Sequence, residues 1–148
     1  MKIYKINLLL ILLITFNSGF AQNELDTYLS NYSYENRKEM KVSSEQIVKM
    51  LQDKKAILVD IRFEEEQEAW SMDCALKMPL PTLPKRYSEL PKDILIVTAC
   101  PHKYRAIMAM MYLKSKGYEV AYLKDGLLGL ADYLRGDNAN NFISNYKN

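Results

Sequence analysis

Cys100 and Arg105 are the residues whose type and spacing could do chemistry. An apolar, β-branched run, Ile94-Leu95-Ile96-Val97-Thr98-Ala99, stops at Cys100, and Pro101-His102-Lys103-Tyr104 lead from there to Arg105 and a helix-like segment. Such a run predicts a strand buried on both faces. A cysteine at its C-terminal end sits where open α/β sheets place their ligands. The loop that follows feeds the first turn of a helix, whose backbone N–H groups attract anions and stabilise a thiolate. Arg105, Lys103 and His102 add positive charge, and together these conditions make a thiol nucleophilic. A lone cysteine at a strand end more often only fills space. The strand, basic loop and arginine taken together favour a reactive Cys100 in an anion-binding loop.

The chain must position that loop. Its 148 residues suffice for one domain with a real core, and the 49% hydrophobic content excludes a disordered chain. A net charge of +2 with interspersed signs argues against nucleic-acid binding. Strands are expected at 56–62, 75–78, 94–99 and 119–123, and helices at 43–53, 64–70, 104–116 and 127–134, with a helical turn within 83–90. Ser43 and Gln46 form a capping box for the first of these helices, and Gly117 closes the one after the loop. Strands alternating with helices predict an α/β fold with a mostly parallel central sheet and helices on both faces. The methionines of 104–116 are expected to be core filling rather than a metal site.

Residues 1–21 form an expected secretory signal. Lys2 and Lys5 precede an apolar run from Leu8 to Phe16, and Gly19-Phe20-Ala21 offers cleavage after Ala21. A retained anchor is the alternative. Cleavage places the protein in a periplasm or outside the cell, with no membrane association afterwards. Residues 22–41 are a polar arm, either helical (Leu25, Tyr28, Leu29 and Tyr32 share a spacing) or wrapping. The domain proper is 42–135, and 136–148 is a polar tail with one helical turn around Phe142.

The ordered motifs from Val42 to Leu134 resemble a rhodanese-like domain. Leu58-Val59-Asp60-Ile61-Arg62 resembles the family's strand ending in Asp-x-Arg. Cys74-Ala75-Leu76-Lys77-Met78-Pro79 resembles its Gly-Ala-x-Asn-Ile-Pro stretch. Ile96 to Cys100 with Arg105 resembles the active-site strand and loop, and Val120 to Gly126 the closing Leu-x-Gly-Gly segment. The resemblance implies a single-domain sulfurtransferase in which Cys100 carries a persulfide and Arg105 fixes the loop or the anion. Its partners would be a small sulfur-containing anion such as thiosulfate and a thiol or cyanide acceptor, with a protein partner also possible. Phosphatases that reuse the fold have a longer loop than the four residues between Cys100 and Arg105. A non-catalytic binding or sulfur-carrier module is the competing reading. The loop departs from the family in carrying Pro101, His102, Lys103 and Tyr104 with no glycine, and Asp125-Gly126 stands for the closing Gly-Gly.

The remaining candidates are weighed singly. His102 is either a base near Cys100 or an exposed loop residue, Lys103 either attracts anions or is a surface lysine, and Tyr104 borders the site. Asp60 and Arg62 line the pocket or pair with each other, with pairing favoured. Neither cofactor nor metal is expected. Cys74 begins its strand whereas Cys100 ends its own, so a bridge between them is disfavoured and Cys74 is assigned to the core. No C-x-x-C motif supports a thioredoxin-like role.

Overall fold

The computed structural model describes residues 18–146. In chain order the elements are α1 (Ser18–Ser30), α2 (Tyr34–Glu39), β1 (Lys41–Val42), α3 (Ser44–Gln52), β2 (Ala56–Asp60), α4 (Glu64–Ala69), β3 (Ala75–Lys77), α5 (Leu83–Arg86), β4 (Leu95–Ala99), α6 (Tyr104–Lys114), β5 (Val120–Leu123), α7 (Gly126–Tyr133) and α8 (Asp137–Tyr146). A short 3₁₀ turn, Tyr87–Glu89, follows α5. Among the described residues no helix is long and apolar enough to cross a membrane. Residues 1–17, which hold most of the expected signal, lie outside the described residues.

All strand pairings are parallel, in the order β1-β5-β4-β2-β3. Side chains alternate along each strand, so both sheet faces must be covered. On one face Leu58, Val97, Ala99, Ala121 and Leu123 pack with Ile47, Val48 and Leu51 of α3, Leu127 and Leu130 of α7, and Phe142 of α8. On the other face Val59, Ile61, Ile96, Val120 and Cys100 pack with Ala106, Ala109, Met110 and Leu113 of α6. Each fully buried Leu, Ile or Met contributes about 1.5–3 kcal/mol. The small Ala106 and Ala109, both 0% exposed, let α6 lie close on the sheet.

Local chemistry explains the elements nearest the site. The Ser43 hydroxyl accepts the Gln46 N–H and the Gln46 side chain accepts the Ser43 N–H, the expected capping box. Gly117 has φ +75°, beyond a helix that stops at Lys114. The arm takes the helical of its two readings, as two helices, and ends in β1, which pairs with β5 through Lys41 and Tyr122. The tail is a ten-residue helix rather than a single turn, because Phe142 is 3% exposed within the core and stacks on Tyr146 at 5.0 Å. Structurally, the packed body therefore extends beyond 135.

Candidate active site

From β2 the chain moves outward to β3, and from β4 it moves the other way to β5. The boundary between β2 and β4 is therefore the switch point, where such sheets bind ligands beyond the strand C-termini. Asp60 pairs with Ala99 across this boundary, and the Ile61 N–H donates to the Ala99 carbonyl at 3.0 Å. Cys100 follows immediately, only 3% exposed.

The loop from Pro101 to Lys103 is irregular, and α6 begins at Tyr104. Among the described residues Lys54 is the only non-glycine with positive φ, so the loop turns without left-handed backbone. Its stability comes from across the fold. The Leu127 N–H donates to the Cys100 carbonyl at 2.8 Å, and the Leu128 N–H to the Pro101 carbonyl at 3.3 Å. These are first-turn donors of α7, which has no i−4 partner for them. Gly126, the first residue of α7, has φ +67°, and a Cβ there would stand 2.2 Å from the Pro101 oxygen and 2.3 Å from the His102 oxygen. The glycine absent from the loop is thus present in the turn that supports it. On the α6 side, the buried Thr98 hydroxyl donates to the Ala106 carbonyl at 2.9 Å.

At the start of α6, the first helical hydrogen bond runs from the Ile107 N–H to the Lys103 carbonyl. Lys103 occupies the N-cap with no side-chain capping bond. His102 and Lys103 are exposed, and the Lys103 ammonium lies 5.9 Å from the centre of the Tyr104 ring. Tyr104 itself is 75% exposed.

Arg105 turns back over the site and makes a two-pronged pair with Glu66 of α4, at 2.5 and 2.7 Å. The Phe63 ring lies 5.4 Å from the guanidinium. Glu66 also accepts the Phe63 N–H at 3.0 Å. The hydrogen bond from Arg105 holds the Glu66 carboxyl well below its usual range, at about 2, against an opposing effect of burial. Arg105 is correspondingly raised, first by that bond and to a smaller degree by the nearby Cys100 and Asp60.

Of the two readings of Asp60 and Arg62, the structure shows the favoured one, pairing, and removes them from the binding surface. Both are 1% exposed and paired to each other, with the shortest contact 2.7 Å. The remaining donors of Arg62 go to the carbonyls of Trp70 at 2.8 Å and Glu66 at 3.3 Å, and its guanidinium lies 3.9 Å from the Trp70 ring centre. Gln67, also buried, donates to the carbonyls of Asp60 and Arg62. This network anchors α4 and thereby aims Glu66 at Arg105. Cys74 is free and precedes β3 level with the middle of β2, whereas Cys100 lies beyond the end of β4 with β2 between them. Burial pushes the Cys74 thiol up.

Known proteins share this fold. The rhodanese-like domain model matches residues 43–132. The chain belongs to the rhodanese-like domain family. A sulfurtransferase of Allochromatium vinosum is 35% identical over 92 residues, covering 61% of this chain and 86% of that protein. The reduced Bacillus anthracis CoADR-RHD structure matches with a TM-score of 0.58 and 26% identity, over 64% of this chain but only 17% of that longer one. The human single-domain sulfurtransferase TSTD1 shares the fold, with a TM-score of 0.56 and 23% identity over 63% of this chain and 96% of that one. Sequence reasoning missed one residue of this rhodanese-like site. Glu66, read only as part of an acidic helix, is the partner of Arg105. Its signal was a Glu at the third position of a short helix, which says nothing about a partner 39 residues away.

Proposed function

We propose that this chain is an exported sulfurtransferase that moves sulfane sulfur through a Cys100 persulfide. The observation that carries the reading is a cysteine at the sheet's switch point, opening a loop that ends in an uncapped helix N-terminus. Kinship with a named sulfurtransferase supports it. The Cys100 thiolate attacks the outer sulfur of thiosulfate. The S–S bond of the donor breaks, sulfite leaves, and the persulfide remains on Cys100. Cyanide or a thiol acceptor then takes the terminal sulfur, giving thiocyanate or an acceptor persulfide and restoring the thiolate. The overall exchange needs no external oxidant or reductant.

Unsatisfied N–H groups in the first turn of α6 hold the anionic sulfur. Lys103 and His102 attract the anionic donor, and Tyr104 borders its approach. Arg105, committed to Glu66, fixes the loop rather than the anion. Lys2, Lys5, the apolar run and Ala21 direct export; cleavage there would shorten α1 to start at Gln22.

A non-catalytic sulfur-carrying module is the second reading, favoured by the 3% exposure of Cys100. Intact mass spectrometry of the reduced mature chain after thiosulfate treatment, beside Cys100→Ser, tests the first. A gain of one sulfur, reversed by cyanide and missing in the variant, is expected. No gain with Cys100 still alkylatable overturns thiosulfate transfer, and loading without repeated turnover selects the carrier.

A further inference from the structure

The loop that carries Cys100 has no glycine and no left-handed residue, so its shape depends on the Asp125-Gly126 turn. That turn is itself held by a distant element. One carboxylate oxygen of Asp125 accepts the backbone N–H of Ser44, the first residue of α3, at 2.7 Å and 81 residues away in sequence. The Asp125 side chain lies against Gly129, where an added Cβ would stand 2.7 Å from the Asp125 Cβ. A side chain at 129 would displace the carboxylate, so the small residue preserves the contact.

We infer that Asp125 is a positioning residue for Cys100, a latch that sets the loop through the turn it belongs to. Its carboxylate meets the α3 N-terminus, where an orphan N–H and the helix dipole both favour negative charge. The next three residues act on the loop. Gly126 admits the Pro101 and His102 carbonyls, and the Leu127 and Leu128 N–H groups hold the carbonyls of Cys100 and Pro101. The family's closing glycine is an aspartate here, and the loop's own glycine is missing. In this chain a tether on the supporting turn replaces freedom within the loop.

The latch predicts how accessible Cys100 is. Cys100 is 3% exposed, so alkylation requires the loop to open. Asp125→Ala removes one charge-assisted hydrogen bond from the closed state. Alkylation of Cys100 by iodoacetamide should then be about tenfold faster. Cys74, on the far side of β2, serves as the internal reference and should not change. Asp125→Asn keeps an acceptor oxygen and should restore most of the protection. Ser44→Pro removes the donor from the other side. Proline suits a first helical position, and Ser43 before it already has extended backbone at φ −83° and ψ 166°. This variant should match Asp125→Ala, and the double variant should be no worse than either.

The catalytic arm rests on the sulfurtransferase reading, whereas the alkylation arm does not. Persulfide formation from thiosulfate should slow about tenfold in Asp125→Ala and recover in Asp125→Asn. If the unaltered chain forms no persulfide, the functional reading fails while alkylation still decides the latch. The latch is overturned if Cys100 alkylation stays within about twofold in Asp125→Ala, if Cys74 accelerates equally, or if Asp125→Asn gives no rescue. Should Asp125→Ala not fold, Ser44→Pro and Asp125→Asn decide it by the same criteria.

Discussion

Glu66→Gln tests whether the Arg105 pair holds the active-site wall together. The substitution keeps size and one acceptor but removes the charge that meets the guanidinium at 2.5 and 2.7 Å. A carboxyl held at about 2 instead of 4.5 would correspond to roughly 3 kcal/mol without solvent screening. The side chains are 29% and 34% exposed, so water screens the pair and the loss at neutral pH should be about 1–2 kcal/mol.

The sign with pH follows from the direction of the shift. Glu66 has a depressed folded value, so its stabilisation is complete above the unfolded value of about 4.5 and fades as pH falls toward about 2. Urea unfolding of both proteins at pH 7 and near pH 3 measures this. The gap in stability should narrow to less than half between the two conditions, and high salt should narrow it at pH 7. Equal stabilities at pH 7 would refute the pairing as a stabilising contact. A gap that persists unchanged to pH 2 would show that something other than the charge of Glu66 is lost.

Three further substitutions probe the supports of the site. Gly126→Ala places a methyl group against the Pro101 and His102 carbonyls and forces a positive φ on alanine, so a loss above about 2 kcal/mol is expected in urea unfolding. Arg62→Leu leaves the buried Asp60 carboxylate without its cation and should cost about 3–5 kcal/mol, whereas the double change with Asp60→Asn should recover part of it in a double-mutant cycle. Ser44→Ala should be neutral or stabilising by up to about 1 kcal/mol, because the Ser44 hydroxyl is buried with no hydrogen-bond partner; a clear loss in melting temperature would mean the hydroxyl has one.

Which of these supports could be read in the sequence depends on how far apart the partners lie along the chain. The Ser43–Gln46 capping box spans one helical turn and was legible from residue types alone. The buried run of β4, the helix after the loop and the opposite placement of Cys74 and Cys100 were legible too, since each follows from periodicity or strand direction. The Glu66–Arg105 pair joins residues 39 apart and the Asp125–Ser44 bond residues 81 apart, and no local pattern distinguishes either from a solvated charge. The polar tail misled for a related reason. Phe142 is its one fully buried residue among the described residues, with Tyr146 packed beside it, so a short apolar stripe in an otherwise polar segment places α8 on the core. The loop shows the same dependence at the reactive cysteine. Pro101-His102-Lys103-Tyr104 lacks the glycine expected of a tight cradle, and taken alone it argues against an ordered site. Gly126, at the start of α7, supplies the close approach and positive φ that the loop does not, so the conformational requirement is met by a neighbouring element. A glycine-free loop is therefore weak evidence against catalysis as long as the turn packed against it keeps its own glycine and its anchor.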